Sequence, residues 1–193
     1  GSGSHATQTA TVMVEFEKVC KEHNPSMVVV VGDVNSTVAC SMVCAKEWIP
    51  CAHVEAGLRS FDRQMPEEIN RLITDAIANI LLTPSPDGDE NLRNEGVSED
   101  RIIRVGNIMI DSLFNNLERS KTSMIHSELD LQKGNYGVVT LHRPSNVDDE
   151  LAFAGIIKAL EEIGSCIPLV FPLHPRTKNR AEQFGLYERL TAI

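Results

Sequence analysis

No stretch of this 193-residue chain is apolar for the ~18 residues that a membrane span needs, and nothing in it resembles a signal peptide. Basic charge is scarce: 18 Lys and Arg stand against 27 Asp and Glu, a net charge of −9. Nucleic acid and anionic membrane both require clustered cations, so neither is an expected partner. A small polyanion could still be held by a few locally placed basic residues. The glycines form no GxGxxG and no GxxxxGK(S/T), which removes the motif-level case for NAD or a Walker-type ATP site. Ser36 and Ser60 lie in no nucleophile-elbow sequence.

Cysteine is also informative by what it does not do. The five cysteines (Cys20, Cys40, Cys44, Cys51, Cys166) are odd in number, form no CxxC pair and sit mostly inside apolar segments. They read as buried free thiols in a reducing cytoplasm rather than as disulfides. No short His and Cys spacing suits zinc, so no metal site is expected. There is no internal repeat and no low-complexity segment.

What is present is an ordinary globular composition, 42% hydrophobic and 23% charged. Residues 1–5, GSGSH, look like an expression scar and are set aside. Beyond them, apolar positions at helical spacing over 8–22 precede a β-branched run, MVVVVGD at 27–33. Such a continuous run suggests a strand buried on both faces, as in a parallel sheet. Helical patterns then fall at 36–47, 66–80, 86–95, 108–118, 148–164 and 176–190. Strand patterns fall between them at 49–56, LLTPS, RIIRVGN, NYGVVTLHRPSN and IPLVFPLHPR. This alternation predicts an α/β fold with mostly parallel strands. The polar stretch 119–134 marks a domain boundary.

Four strands end in a polar or charged cluster: GD at 32–33, HVEAG at 53–57, HRPSN at 142–146 and HPR at 174–176. Ligands of open α/β sheets bind beyond the carboxyl ends of the strands, so all four clusters could face one crevice. Each residue also has a plainer reading. Asp33 suits a turn or a helix N-cap. Glu55, costly to bury alone, could pair with His53, Arg59 or Arg71. Glu67, Arg71 and Asp75, spaced i, i+4, i+8, could form an exposed salt-bridge ladder. His142–Arg143 and His174 with Arg176 could be loop residues, though an imidazole and a guanidinium at a strand–helix turn suit a phosphate.

The segments VVVVGDVNST, HVEAGLRS, MPEEINRLITD, VGNIMIDSL, LHRPSNV and FPLHPRT, in this order, closely resemble the non-hydrolysing UDP-N-acetylglucosamine 2-epimerases. The resemblance implies two Rossmann-like domains of the GT-B type: a partial N-terminal domain at 6–118, a connecting segment at 119–134 and a partial C-terminal domain at 135–193. It implies interconversion of UDP-GlcNAc and UDP-ManNAc by anti elimination of UDP and re-addition, with no cofactor and no metal. By motif match the important carboxylates are Asp33, Glu55 and Glu67. His142 matches the diphosphate-contacting histidine and Arg71 the helix arginine. Arg143 and His174 align with positions linked to a second, activating UDP-GlcNAc. A cytoplasmic homodimer is implied as well. The family's Gly-Thr-Arg-Pro-Glu-like loop and later Ser-Gly-Gly segment are not found here, so about half an enzyme, cut at both ends and with little activity alone, is expected. A related UDP-2-acetamido sugar as substrate, or a non-catalytic UDP-sugar-binding module, are the alternatives.

Overall fold

The computed structural model describes residues 3–193, which divide into two compact units, one ending at Leu117 and the other beginning at Glu118. Gly1 and Ser2 of the leading GSGSH lie outside the described residues. Ser4 and His5, set aside with them, take part in the fold. The Ser4 hydroxyl accepts the Thr7 N–H at 3.2 Å and caps helix α1, His5–His23.

In the first unit, strands β1 (Val28–Val31), β2 (Cys51–Val54), β3 (Ile80–Thr83) and β4 (Ile102–Arg104) form one parallel sheet in that order. The helices α2 (Asn35–Lys46), α3 (Pro66–Ile77) and α4 (Pro86–Asn94) make the crossovers, and α5 (Ile108–Lys121) leaves the last strand. Proline occupies the first turn of α3 and of α4, where a missing N–H costs nothing, and acidic residues follow it to complement the helix dipole. The register pairs Val30 with His53 and His53 with Leu81, so these three side chains share one sheet face. Val30 packs there with Cys44, Cys51 and Phe16, and Leu81 with Ala56, Ala78 and Leu92.

The α/β class with parallel strands is as the alternation predicts, but the expected two-sided burial of β1 is not found. Val29 and Val31, on the opposite face, are 58% and 48% exposed. β1 is the outermost strand among the described residues, and α1 and α2 pack on its Val30 side. Cys20, Cys44 and Cys51 are buried and Cys40 partly so, whereas Cys166 is exposed, an exception to the buried-thiol reading. A thiol at the polar end of a helix has no core to enter.

In the second unit, helix α6 (Ile125–Glu128) lies in the polar stretch, and short strands β5 (Gly137–Val138) and β6 (Leu169–Val170) pair in parallel. Helices α7 (Pro144–Val147), α8 (Glu150–Gly164), α9 (Pro175–Gln183) and α10 (Tyr187–Thr191) surround a core of Val147, Phe153, Ile157, Ala181, Leu186 and Leu190. Asp149 caps α8 by accepting the Ala152 N–H at 2.8 Å. The long apolar patterns at 135–146 and 167–176 yield only two ladder residues each, because each strand has a single partner among the described residues.

Candidate functional site

β1 and β2 are neighbours, so the clusters GD and HVEAG emerge side by side at their carboxyl ends. Gly32 takes φ 70° to turn the chain out of β1, and Asp33 follows it. Asp33 does not cap a helix: α2 is preceded by Val34, with no side-chain cap. Its carboxylate instead meets the Arg71 guanidinium, and its carbonyl accepts from Asn70 Nδ2 at 2.8 Å. Both partners come from α3, which ties the Asp33 turn to the helix opened by MPEEINR.

Arg71 is shared. Its second nitrogen donates to Glu68 at 2.9 Å. Glu68, in the first turn of α3, is buried. Burial opposes its ionised form, but the Ser60 N–H and hydroxyl, Arg71 and the Phe61 N–H all donate to it and together hold its pKa below the usual carboxylate range. This anchors the 60–61 loop and fixes the guanidinium that faces Asp33. The expected ladder through Glu67, Arg71 and Asp75 is therefore absent. Arg71 turns to Glu68 and Asp33, and Asp75 is buried.

Asp75 holds three partners: His53 Nδ1 at 2.6 Å, the Gly57 N–H at 3.0 Å and the Arg59 guanidinium at 2.7 Å. Arg59 reaches on to Glu95 through two contacts of 2.7 Å. Burial disfavours its charge, but the Glu95 hydrogen bonds and the Asp75 charge raise its pKa overall. Sequence spacing offers His53 and Arg59 only as partners for Glu55, and Asp75 only as the end of an exposed ladder, not the three as one buried network. The one signal was position: His53 falls on the core-facing register of an apolar strand, where an imidazole demands partners.

With Arg59 and Arg71 so engaged, the ion pair considered for Glu55 does not form. Among the described residues the Glu55 carboxylate has no hydrogen-bond or ion-pair partner, although the residue is partly buried. It lies beside Gly32, where an added Cβ would stand 3.7 Å from Oε2. Glu67, in the first turn of α3, is likewise without a partner. It lines a cavity of about 510 Å³ together with Val34, Asn35, Ser36 and Asn70. Asp33, Glu55, Glu67 and Arg71 thus gather around the ends of β1 and β2 and the start of α3. Two of these carboxylates have no partner among the described residues and one is held against a cation.

The second unit brings together His142, after β5, and His174, after β6. Their ring centroids are 5.5 Å apart with an interplanar angle of 31°. His174 Nδ1 accepts the Arg176 N–H at 3.1 Å, which places the proton of the neutral ring on Nε2, a donor for an anion. Arg143 is exposed, with no side-chain partner among the described residues. Arg176, weighed as a phosphate donor, is instead paired with Asp148, as is Arg180. These donations pull the Asp148 pKa down to about 2. Each unit therefore assembles its own pair of strand-end clusters. No group of three His, Cys, Asp or Glu among the described residues is placed to hold a metal ion, and no described helix is long and apolar enough to cross a membrane.

Comparison with known proteins places this geometry. The family model described as UDP-N-acetylglucosamine 2-epimerase matches residues 1–193. A UDP-N-acetylglucosamine 2-epimerase homolog of Methanococcus maripaludis is 45% identical over 98% of this chain and 53% of its own length. A UDP-2,3-diacetamido-2,3-dideoxy-D-glucuronate 2-epimerase of Pseudomonas aeruginosa is 42% identical over 95% of this chain and 52% of its own. The crystal structure of Methanocaldococcus jannaschii UDP-GlcNAc 2-epimerase in complex with UDP-GlcNAc and UDP superposes with a TM-score of 0.89. It is 40% identical over 100% of this chain and 54% of that one. The chain spans about half the length of the curated relatives it matches. Its fold is of the GT-B type that these solved relatives share, and the chain belongs to the UDP-N-acetylglucosamine 2-epimerase family.

Proposed function

We propose that this chain carries the carboxylate wall and a diphosphate-contacting histidine of a UDP-GlcNAc 2-epimerase. The observation that carries the reading is that unpartnered Glu55 and Glu67 and an Arg71-held Asp33 gather around the ends of β1 and β2 and the start of α3. Sugar C2 is not next to a carbonyl, so its proton is poorly acidic. Departure of UDP must run ahead and build positive charge at C1. Carboxylates near the ring stabilise that charge and move the C2 proton, and two faces call for more than one acid/base group. Elimination gives a 2-acetamidoglucal and UDP; re-addition of UDP with protonation at C2 from the other face gives UDP-ManNAc. His142 supplies a donor to the diphosphate, and Arg143 and His174 supply donors to the second, activating UDP-GlcNAc that the resemblance implies. A cytoplasmic homodimer, as the resemblance implies, belongs to the same reading, as does weak turnover by the 193 residues alone.

Incubation with UDP-GlcNAc in deuterated water tests it. Deuterium is expected at C2 of recovered UDP-GlcNAc and UDP-ManNAc, slowly for this chain, and at least ~100-fold more slowly in Glu55→Gln. Sugar nucleotide that binds yet keeps its C2 proton would leave a UDP-sugar-binding module instead. The 42% identity to the Pseudomonas aeruginosa relative favours one second reading, a related UDP-2-acetamido sugar as substrate. Exchange rates for both sugars, measured side by side, decide between them.

A further inference from the structure

Two turns meet beneath the candidate carboxylates. β1 ends in Gly32 at φ 70°, and β2 ends in Glu55 at φ 71° and Gly57 at φ 79°. Left-handed backbone at a residue with a side chain is strained and persists only where the surroundings hold it. Beside the Gly32 N–H bond to the Val54 carbonyl at 3.1 Å and the Asn91 donation to the Gly57 carbonyl at 2.9 Å, one buried pair touches both turns. His53 Nε2 donates to the Gly32 carbonyl at 2.9 Å, since a carbonyl can only accept. Its Nδ1 lies 2.6 Å from one Asp75 oxygen, and the other Asp75 oxygen accepts the Gly57 N–H at 3.0 Å. Gly32 immediately precedes Asp33, and Gly57 lies two residues beyond Glu55.

We propose that His53 and Asp75 are positioning residues, which set the turn bearing Asp33 against the turn bearing Glu55. The proposal rests on the reading of those carboxylates as the acid/base groups. An imidazole that only filled core space could take any nearby carbonyl. This one takes the carbonyl that leads into Asp33, and its carboxylate partner takes the N–H that closes the Glu55 turn. Both side chains are buried, closed off from any ligand beyond the strand ends. Their effect runs through the spacing of Asp33 and Glu55, and misplacement by an ångström can cost a large factor in rate.

Two substitutions separate the hydrogen bonds. A glutamine amide reaches the place of Nε2, so His53→Gln keeps a donor for the Gly32 carbonyl. An asparagine amide stands near Nδ1, so His53→Asn keeps the contact with Asp75 and loses the one with Gly32. Amide hydrogen exchange of the full chain, read by mass spectrometry over residues 32–38, is expected to quicken about tenfold in His53→Asn and to stay close to wild type in His53→Gln. The rate of C2 deuteration at saturating UDP-GlcNAc should fall about tenfold in His53→Asn with little change in the half-saturating concentration, and recover in His53→Gln. Equal effects of the two variants, or no change in the turn, overturn the proposal. If neither variant folds, wild-type chain labelled with ¹⁵N-histidine decides. A slowly exchanging Nε2 proton close to the Gly32 and Asp33 backbone supports the proposal, and its absence overturns it. A wild type that folds but never deuterates C2 removes the functional reading, while protection of the turn still decides the positioning role.

Discussion

Behind the strand ends of the first unit the charged groups are sunk. Glu68, Asp75 and the Arg59 guanidinium are as inaccessible as core leucines, and each has several hydrogen-bond partners. At the strand ends of the second unit, His142, Arg143 and His174 stand exposed, and the ion pairs around Asp148 lie at the surface. On the proposed function, the contrast follows from what each side is asked to do. Moving a proton at carbon needs carboxylates of fixed position, and fixing them takes a buried scaffold. A buried charge is tolerable only when every hydrogen-bonding direction is satisfied. Holding a diphosphate needs donors, and exposed imidazoles and guanidinium supply those without a rigid support.

The sharpest way to break this comparison is Asp75→Ala. It strips the acceptor from His53, from the Gly57 N–H and from a buried arginine at once. Breaking a buried pair from one side costs about 3–5 kcal/mol, so the urea midpoint of the first unit should fall steeply. A loss under ~1 kcal/mol would mean that the first unit is no more dependent on its polar scaffold than the second. His142→Ala is the counterpart. Stability should change by less than ~0.5 kcal/mol, as at an exposed site, while UDP affinity measured by calorimetry falls about tenfold.

The smallest effect is expected from acid. The Asp148 pKa is lowered to about 2 from 3.8 by hydrogen bonds from Arg176 and Arg180, so its contribution is complete above the unfolded value. That contribution is lost as pH falls from about 4 towards 2. The carboxylate is 31% exposed, so screening keeps the contribution below ~1 kcal/mol. Circular dichroism melts across that window should show Asp148→Asn converging with wild type at the acid end.

Much of this was legible in the sequence. The strand–helix alternation gave every crossover of the first unit, and MPEEINR gave the start of α3 through its proline and acids. The resemblance picked out Asp33, Glu55, Glu67 and Arg71, which the fold brings to one region. What escaped was depth. A carboxylate at i+4 from an arginine reads as a surface ladder unless the helix's buried face is known. The face carrying Asp75 is set by Thr74, Ala78 and the approach of the 57–59 turn, not by local spacing. The second unit was over-read as longer strands, because an apolar run becomes a strand only over the length where a partner supplies ladder bonds.

The turn of the Glu55 motif has one more neighbour, in α4. A Cβ placed on Gly57 would run into the backbone of Gly88, while Asn91 of the same helix donates to the Gly57 carbonyl at 2.9 Å. Positions 57 and 88 therefore behave as one heritable unit. No side chain enters at 57 unless α4 retreats, and a retreating α4 lets go of the turn through Asn91. A variant library that samples each position singly would score Gly57 as indispensable and suggest a chemical role. The prohibition belongs to helix packing together with the left-handed backbone at Gly57, and only double variants that also re-seat α4 could separate the two.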